Sequence, residues 1–214
     1  MSLPKLIVVG AGSLGREIAT WLVTRPGDLA GYEVAGYLSD DPTALDNYPK
    51  WRGRILGRID DYQADSDTLL VMAIAKPQSK LLVAEKLLAK GARFTNYIHP
   101  SVILSEPVTL GQGIVICPNA VVSCDAVLGD FVTINVGCTI GHDVRVGRGV
   151  TLSSHVDLTG FVQVEEGAFF GSHASVLPKG RIGAFSCVGA GSVVLRSVKA
   201  GCTVIGVPSK QISP

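Results

Sequence analysis

From Leu104 to Val194 a large apolar residue returns at every sixth position: Leu104, Leu110, Ile116, Val122, Leu128, Ile134, Ile140, Val146, Leu152, Leu158, Val164, Phe170, Val176, Ile182, Val188 and Val194. Two residues ahead of most of these stands a smaller or β-branched one, from Val102, Val108 and Ile114 through Ala120, Ala126 and Cys138 to Ala168 and Ala174. Glycine often follows the large residue, as at Gly111, Gly129, Gly141 and Gly147. This period fits neither a helix, whose apolar face recurs near 3.6 residues, nor an extended strand, which alternates at about two. It fits one short strand and one tight turn per unit, with a single side chain pointing inward. Three units close a triangular coil of about 18 residues, and stacked coils bury one aliphatic column. The run therefore predicts about five coils of an all-β, parallel β-helix. Its hand does not follow from the spacing.

The chain is apolar overall, with 47% hydrophobic and 17% charged residues and a mean hydropathy of +0.36. No run approaches the roughly 18 apolar residues of a membrane span, so the surplus is expected inside the coils or between subunits. The opening Met1-Ser2-Leu3-Pro4-Lys5 leads straight into a strand-like segment without signal-peptide anatomy. A cytoplasmic protein with no membrane partner is expected. A net charge of +1 offers no basic stripe for a nucleic acid. The five cysteines, Cys117, Cys124, Cys138, Cys187 and Cys202, show neither CxxC pairing nor zinc spacing. Buried reduced thiols and no metal are the expectation.

The first half has a different grammar. Lys5–Val9 reads as an apolar strand, Gly10-Ala11-Gly12-Ser13-Leu14-Gly15 follows, and Arg16–Thr24 reads as an amphipathic helix. This is GxGxxG between a strand and a helix, where glycines let the backbone approach a phosphate. A second strand, Glu33–Leu38, ends at Ser39-Asp40-Asp41-Pro42, and an acidic residue at a strand end is placed to hold ribose hydroxyls. Thr68–Ile74 reads as a third strand, Ser79–Lys90 as a helix, and Phe94–Ile98 leads to His99-Pro100 at the repeat. The expected organisation is a small α/β, Rossmann-like nucleotide-sugar-binding domain over residues 1–98 and a β-helix with a C-terminal tail over 99–214. The first is too short for two mononucleotide halves, so a single-nucleotide site is expected.

His142-Asp143 interrupts the repeat. Ile140 points inward and Gly141 outward, which puts His142 at the next corner, where no core needs filling. A neutral imidazole there could take a proton from an amine or hydroxyl near neutral pH, and a carboxylate such as Asp143 would orient it and raise its basicity. A solvated surface histidine is the plainer alternative. His99 reads as junction packing or a turn cap, and His155 and His173 as peripheral residues that could line a groove.

Several motifs, in order, span nearly the whole chain: Val8-Val9-Gly10-Ala11-Gly12-Ser13-Leu14-Gly15, Gly36-Tyr37-Leu38-Ser39-Asp40-Asp41, Asn96-Tyr97-Ile98-His99-Pro100-Ser101, Gly141-His142-Asp143 and Gly206-Val207-Pro208-Ser209-Lys210. On these the chain resembles the bacterial sugar-nucleotide acetyltransferases of the hexapeptide-repeat superfamily, a group that includes bacillosamine-pathway N-acetyltransferases and sialic-acid O-acetyltransferases. The resemblance implies a left-handed β-helix. It also implies His142 as general base, Asp143 as the acid that tunes it, and Gly10, Gly12, Ser13, Leu14, Ser39, Asp40 and Ala75 on the nucleotide-sugar side. It places Thr151, Ser172 and Ala190 along the acetyl-CoA groove. Two positions depart from the family: Thr151 stands where a histidine is common, and Ala75, followed by Lys76, where a glycine is usual.

The function expected on these grounds is acetyl transfer from acetyl-CoA to the amine of a UDP- or dTDP-linked 4-amino-4,6-dideoxy sugar. Attack would be direct, without an acyl-enzyme. The outward Val121, Val127, Val136 and Phe169 point to a homotrimer with sites between subunits. O-acetylation of sialic acid or another glycan is the first rival, and a non-catalytic nucleotide-binding trimeric scaffold the second. A nicotinamide-dependent redox enzyme is a distant third.

Overall fold

A computed structural model describes residues 3–213; Met1, Ser2 and Pro214, and with them the reading of how the chain starts, lie outside the described residues. The first segment is a four-stranded sheet of β1 (Lys5–Val9), β2 (Glu33–Leu38), β3 (Ile55–Gly57) and β4 (Thr68–Met72) in the order β3-β2-β1-β4, with every pairing parallel. Helix α1 (Ser13–Thr24) joins β1 to β2 and buries Gly15, Ile18, Ala19 and Leu22, one stripe at helical spacing. Helix α2 (Pro77–Ala89) follows β4 and begins with proline, whose missing N–H costs nothing in a first turn.

This corrects the expectation of a Rossmann-like domain. Such a unit alternates strand and helix through at least βαβαβ, and here only the β1-to-β2 crossover carries a helix. Residues 39–54 and 58–67 connect their strands through turns and coil. Among the described residues α1 and α2 are the only α-helices, with one 3-10 turn at Gly27–Leu29. The reason is local. Asp41 folds its carboxylate onto Thr43 N and Oγ1 in a turn, Pro42 and Pro49 interrupt any helix, and Gly53 adopts φ +74°.

From Tyr97 onward the chain forms a parallel β-helix of two-residue strands. Face 1 runs from Tyr97–Ile98 through Val115–Ile116, Thr133–Ile134, Thr151–Leu152, Phe169–Phe170 and Cys187–Val188 to Thr203–Ile205, and is closed by the antiparallel strand Lys210–Ser213. Face 2 has six strands, Ile103–Leu104 to Val193–Val194, and face 3 has six, Thr109–Leu110 to Ser197–Val198. Register repeats every coil: Thr133 pairs with Thr151, and Thr151 with Phe169. The sixth-position residues and the smaller set ahead of them form one buried column from Ile114 to Val204, with Val102, Leu104, Val108 and Leu110 partly covered at its open end. Corner residues such as Asp143, His155, Phe161, His173 and Phe185 take φ between 53° and 62°.

The first segment lies on face 1. Leu6, Val8, Ile18 and Tyr37 share a core with Tyr97, Val115 and Cys117, and Val136 packs against the same core. Val136 is therefore spent within the chain, not on an outer face as its apolar character suggested. A second core joins Ile7, Leu70, Leu87 and Phe94 to Phe131, with the Phe94 and Phe131 rings edge to face at 5.0 Å.

Candidate active site

His142 stands on the corner between faces 2 and 3, the vertex opposite face 1. Its Nδ1 lies 2.9 Å from Asp143 Oδ2. With Nδ1–H donating to that carboxylate, Nε2 carries the lone pair, and the side chain is 55% exposed, open to a substrate. Two residues one coil further hold the ring. Phe161 meets it edge to face at 5.0 Å, and the imidazole lies over Gly160, where a Cβ would come within 2.6 Å of Nε2. One coil back, on the same corner, lies Cys124. Its thiol is held above the usual range by its hydrogen bond to Asp125, by slight desolvation and by the charges of Asp125 and Asp143. A nucleophilic thiolate beside His142 is therefore opposed by the surroundings.

The loops that follow β1, β2 and β4 lie side by side at one edge of the sheet. Gly10 N donates to Leu38 O and Ala73 N to Val9 O, which brings Gly10–Leu14, Ser39-Asp40 and Ala75 together. β1 sits between β2 and β4, and because all three strands are parallel the loops leaving them open at the same end of the sheet. The glycines of the motif divide by cause. Gly10 has φ +107° and Gly15 packs directly on the Gly10 carbonyl, so the fold itself requires both. A Cβ on Gly12 would meet no atom within 4 Å; nothing in the chain explains that glycine. Ser39 is mostly occupied locally, its Oγ donating to Asp41 O and accepting from Asp41 N, and Asp40 Oδ1 accepts from Ile59 N.

The positions expected along a coenzyme groove separate. Ser172 and Ala190 stand on the corner between faces 1 and 2, with Gly191 N donating to Ser172 O. Thr151 is only 4% exposed; its hydroxyl donates to Ala75 O at 2.7 Å and accepts from Lys80 Nζ at 2.7 Å. Its side chain therefore has no free surface for a coenzyme. Beyond it on face 1, Phe169 and Cys187 form one wall of a cavity of about 490 Å³, with Gly167, Phe185 and Ser186. Ala75, Lys76, Pro77 and Gln78 form the other wall. Neither this cavity nor Lys80 is legible from the sequence.

The remaining histidines stand on other parts of the chain than His142. His99 Nδ1 accepts from Ser101 N, and burial with the nearby Arg25 charge holds its ring below the ordinary histidine range. His155 and His173 stack at 4.9 Å on the face 1–face 2 corner. Among the described residues, no group of three or more His, Cys, Asp or Glu is placed to hold a metal.

No protein-family model matches the sequence, and no curated protein matches it. Solved structures do. PerB from Caulobacter crescentus, in complex with CoA and GDP-perosamine, aligns with a TM-score of 0.87 at 29% identity, over 99% of this chain and 99% of that one. The acetyltransferase domain of PglB from Neisseria gonorrhoeae FA1090, in complex with acetyl coenzyme A, aligns at 0.87 and 26% over 99% and 100%. WeeI from Acinetobacter baumannii AYE aligns at 0.84 and 24% over 97% and 99%, a likeness of fold alone.

Proposed function

We propose that this chain, an acetyltransferase of the hexapeptide-repeat family, moves the acetyl group of acetyl-CoA onto the amine of a nucleotide-linked 4-amino-4,6-dideoxy sugar. One observation carries the reading: an exposed imidazole oriented by Asp143 on a β-helix corner that needs no side chain for packing. PerB, which binds CoA and GDP-perosamine, supports the substrate class. The residues of 1–98, through Gly10–Leu14, Ser39, Asp40 and Ala75, hold the nucleotide and sugar; those of 99–214 supply the base and, at Ser172 and Ala190, the coenzyme side.

His142 Nε2 takes a proton as the sugar nitrogen attacks the thioester carbonyl. The C–N bond forms, the C–S bond breaks, and the proton is returned to the departing CoA thiolate. A backbone N–H at the corner stabilises the oxyanion. The base stands on the vertex opposite face 1, whereas the acceptor loops lie with the segment that covers face 1. One chain thus keeps the two halves apart, and we assign the complete site to the cleft between subunits of a homotrimer.

The test is a mass-spectrometric screen of UDP-, dTDP- and GDP-linked 4-amino-4,6-dideoxy sugars with acetyl-CoA, beside free sialic acid. A 42 Da gain on an amino-sugar nucleotide is the expected result (the mass of an acetyl group less a proton). Acetylation of sialic acid alone would move the assignment to O-acetyl transfer, and nucleotide binding without any transfer would leave a scaffold.

A further inference from the structure

Among the described residues Lys80 is the only lysine, arginine, aspartate or glutamate that is buried, at 0% exposure. It projects from the first turn of α2 onto face 1. Its Nζ lies 2.7 Å from Thr151 Oγ1, 3.0 Å from Thr133 Oγ1 and 3.2 Å from Val150 O. No carboxylate among the described residues pairs with it, and burial pushes its amine down to about 7.

The hydrogen-bond inventory closes in either protonation state. Thr151 donates to Ala75 O, so it must accept from Lys80. An ammonium sends its three N–H bonds to Thr151, Val150 and Thr133. A neutral amine sends two to Thr151 and Val150 and receives the Thr133 hydroxyl on its lone pair. Lys80 is therefore bonded on both sides of its titration. With no exposed surface it is not placed as a nucleophile or an imine-forming lysine.

Methionine would fill the same space without a buried polar atom. What the amine adds is direction. Three bonds fix α2 along and across face 1, and the Lys80–Thr151–Ala75 chain ties down the segment just before the helix. That segment, Ala75 to Gln78, is one wall of the cavity whose other wall carries Phe169 and Cys187.

We propose that Lys80 is a positioning residue: with Thr133 and Thr151 it sets the Ala75–Gln78 wall against the β-helix, and so both the width of the cavity behind that wall and the placement of Ala75 among the acceptor loops. This rests on the acceptor reading given above, and the experiment separates the two. Cys187 lines the cavity, so its alkylation by iodoacetamide, followed by peptide mass spectrometry with Cys124 as internal reference, reports the wall without any substrate. Acceptor and acetyl-CoA Michaelis constants report the site, using whichever amino-sugar nucleotide the wild type acetylates.

Lys80→Met and Thr151→Val should raise Cys187 alkylation and the acceptor KM by about tenfold, the scale of one or two lost hydrogen bonds. kcat and the acetyl-CoA KM should stay within about twofold. Thr151→Ser, which keeps the hydroxyl, should behave as wild type, and the Thr151 pair carries the test if Lys80→Met does not fold. Wild-type alkylation and acceptor KM in both Lys80→Met and Thr151→Val would overturn the proposal. So would an equal loss toward both substrates, which assigns Lys80 to stability alone. If the wild type acetylates no sugar nucleotide while Cys187 is still unmasked in Lys80→Met, the acceptor reading fails and the role of Lys80 in setting the wall stands.

Discussion

At the scale of single residues, His142 is held by three different means: a carboxylate on Nδ1, a phenyl edge, and bare backbone beneath the ring. Removing a positioned base commonly lowers turnover about 100- to 10,000-fold. His142→Ala should do so, flatten the acid limb of the pH–rate profile, and leave the acetyl-CoA KM nearly unchanged. Asp143→Ala should cost about 10- to 100-fold, since it orients the ring. Gly160→Ala is the more discriminating variant. Its methyl would come within 2.6 Å of Nε2, where only the imidazole can yield, so turnover should fall about tenfold or more with melting temperature unchanged. Wild-type turnover in Gly160→Ala would mean that the ring position seen here is not the working one. The corner position of His142 and its pairing with Asp143 were legible from the repeat. Gly160 is legible only through the coil length: one coil is 18 residues, as Thr133↔Thr151 shows, which stacks Gly160 on His142.

At the scale of elements, α2 shows where sequence reading runs short. Its bounds, read as Ser79–Lys90, differ from the observed Pro77–Ala89 by only two residues and one, because proline and apolar spacing mark them. The burial of Lys80 was not legible, since a lysine on a helix is ordinarily solvated and its partners lie 53 and 71 residues away. The GxGxxG motif misled in the opposite sense. Gly10 and Gly15 serve a tight strand-to-helix turn that needs no complete nucleotide-binding fold around it. Lys80 also makes a pH prediction. Its folded value is about 7 against an ordinary 10.5, so between these the unfolded chain holds a proton that the folded chain has released. Stability from this group is therefore constant below about pH 7 and rises from there toward 10.5. The buried thiols act the other way: Cys117 and Cys138 are pushed above the ordinary 9.0 by burial, so their contribution falls once the unfolded thiols ionise above about pH 9. Between pH 6.5 and 8.5 the wild-type melting temperature should rise by several degrees relative to Lys80→Met. A constant difference across that window would show that the buried amine does not titrate there.

At the scale of the molecule, the repeat made the β-helix legible, and its outward apolar residues led to the expectation of sites between subunits. Which residues fall on which vertex or face was not legible, because vertex and face are defined only once the coil closes. His142 stands on the corner between faces 2 and 3, while Gly12 belongs to the segment docked on face 1. If a site takes its base from one subunit and its acceptor loop from the next, damage to the two halves in different chains is complementary. Gly12→Leu suits the purpose: its backbone, at φ −72° and ψ −167°, is open to any residue, and a Cβ there meets no atom of the chain within 4 Å beyond its immediate neighbours. It should fold, and block only what binds over the loop. His142→Ala lacks the base and keeps the loop. Each variant alone should be inactive. In trimers assembled at random from equal amounts of both, about one site in four pairs an intact base with an intact loop. Co-expressed, differently tagged chains purified as hybrids carry one intact site in three whichever variant is in excess, and should therefore recover about a third of wild-type turnover, whereas Gly12→Leu and His142→Ala combined in one chain should recover nothing from mixing with itself. Hybrids of verified composition that stay as inactive as their parents, or a monomer by light scattering at micromolar concentration, would place both halves of the site within a single chain.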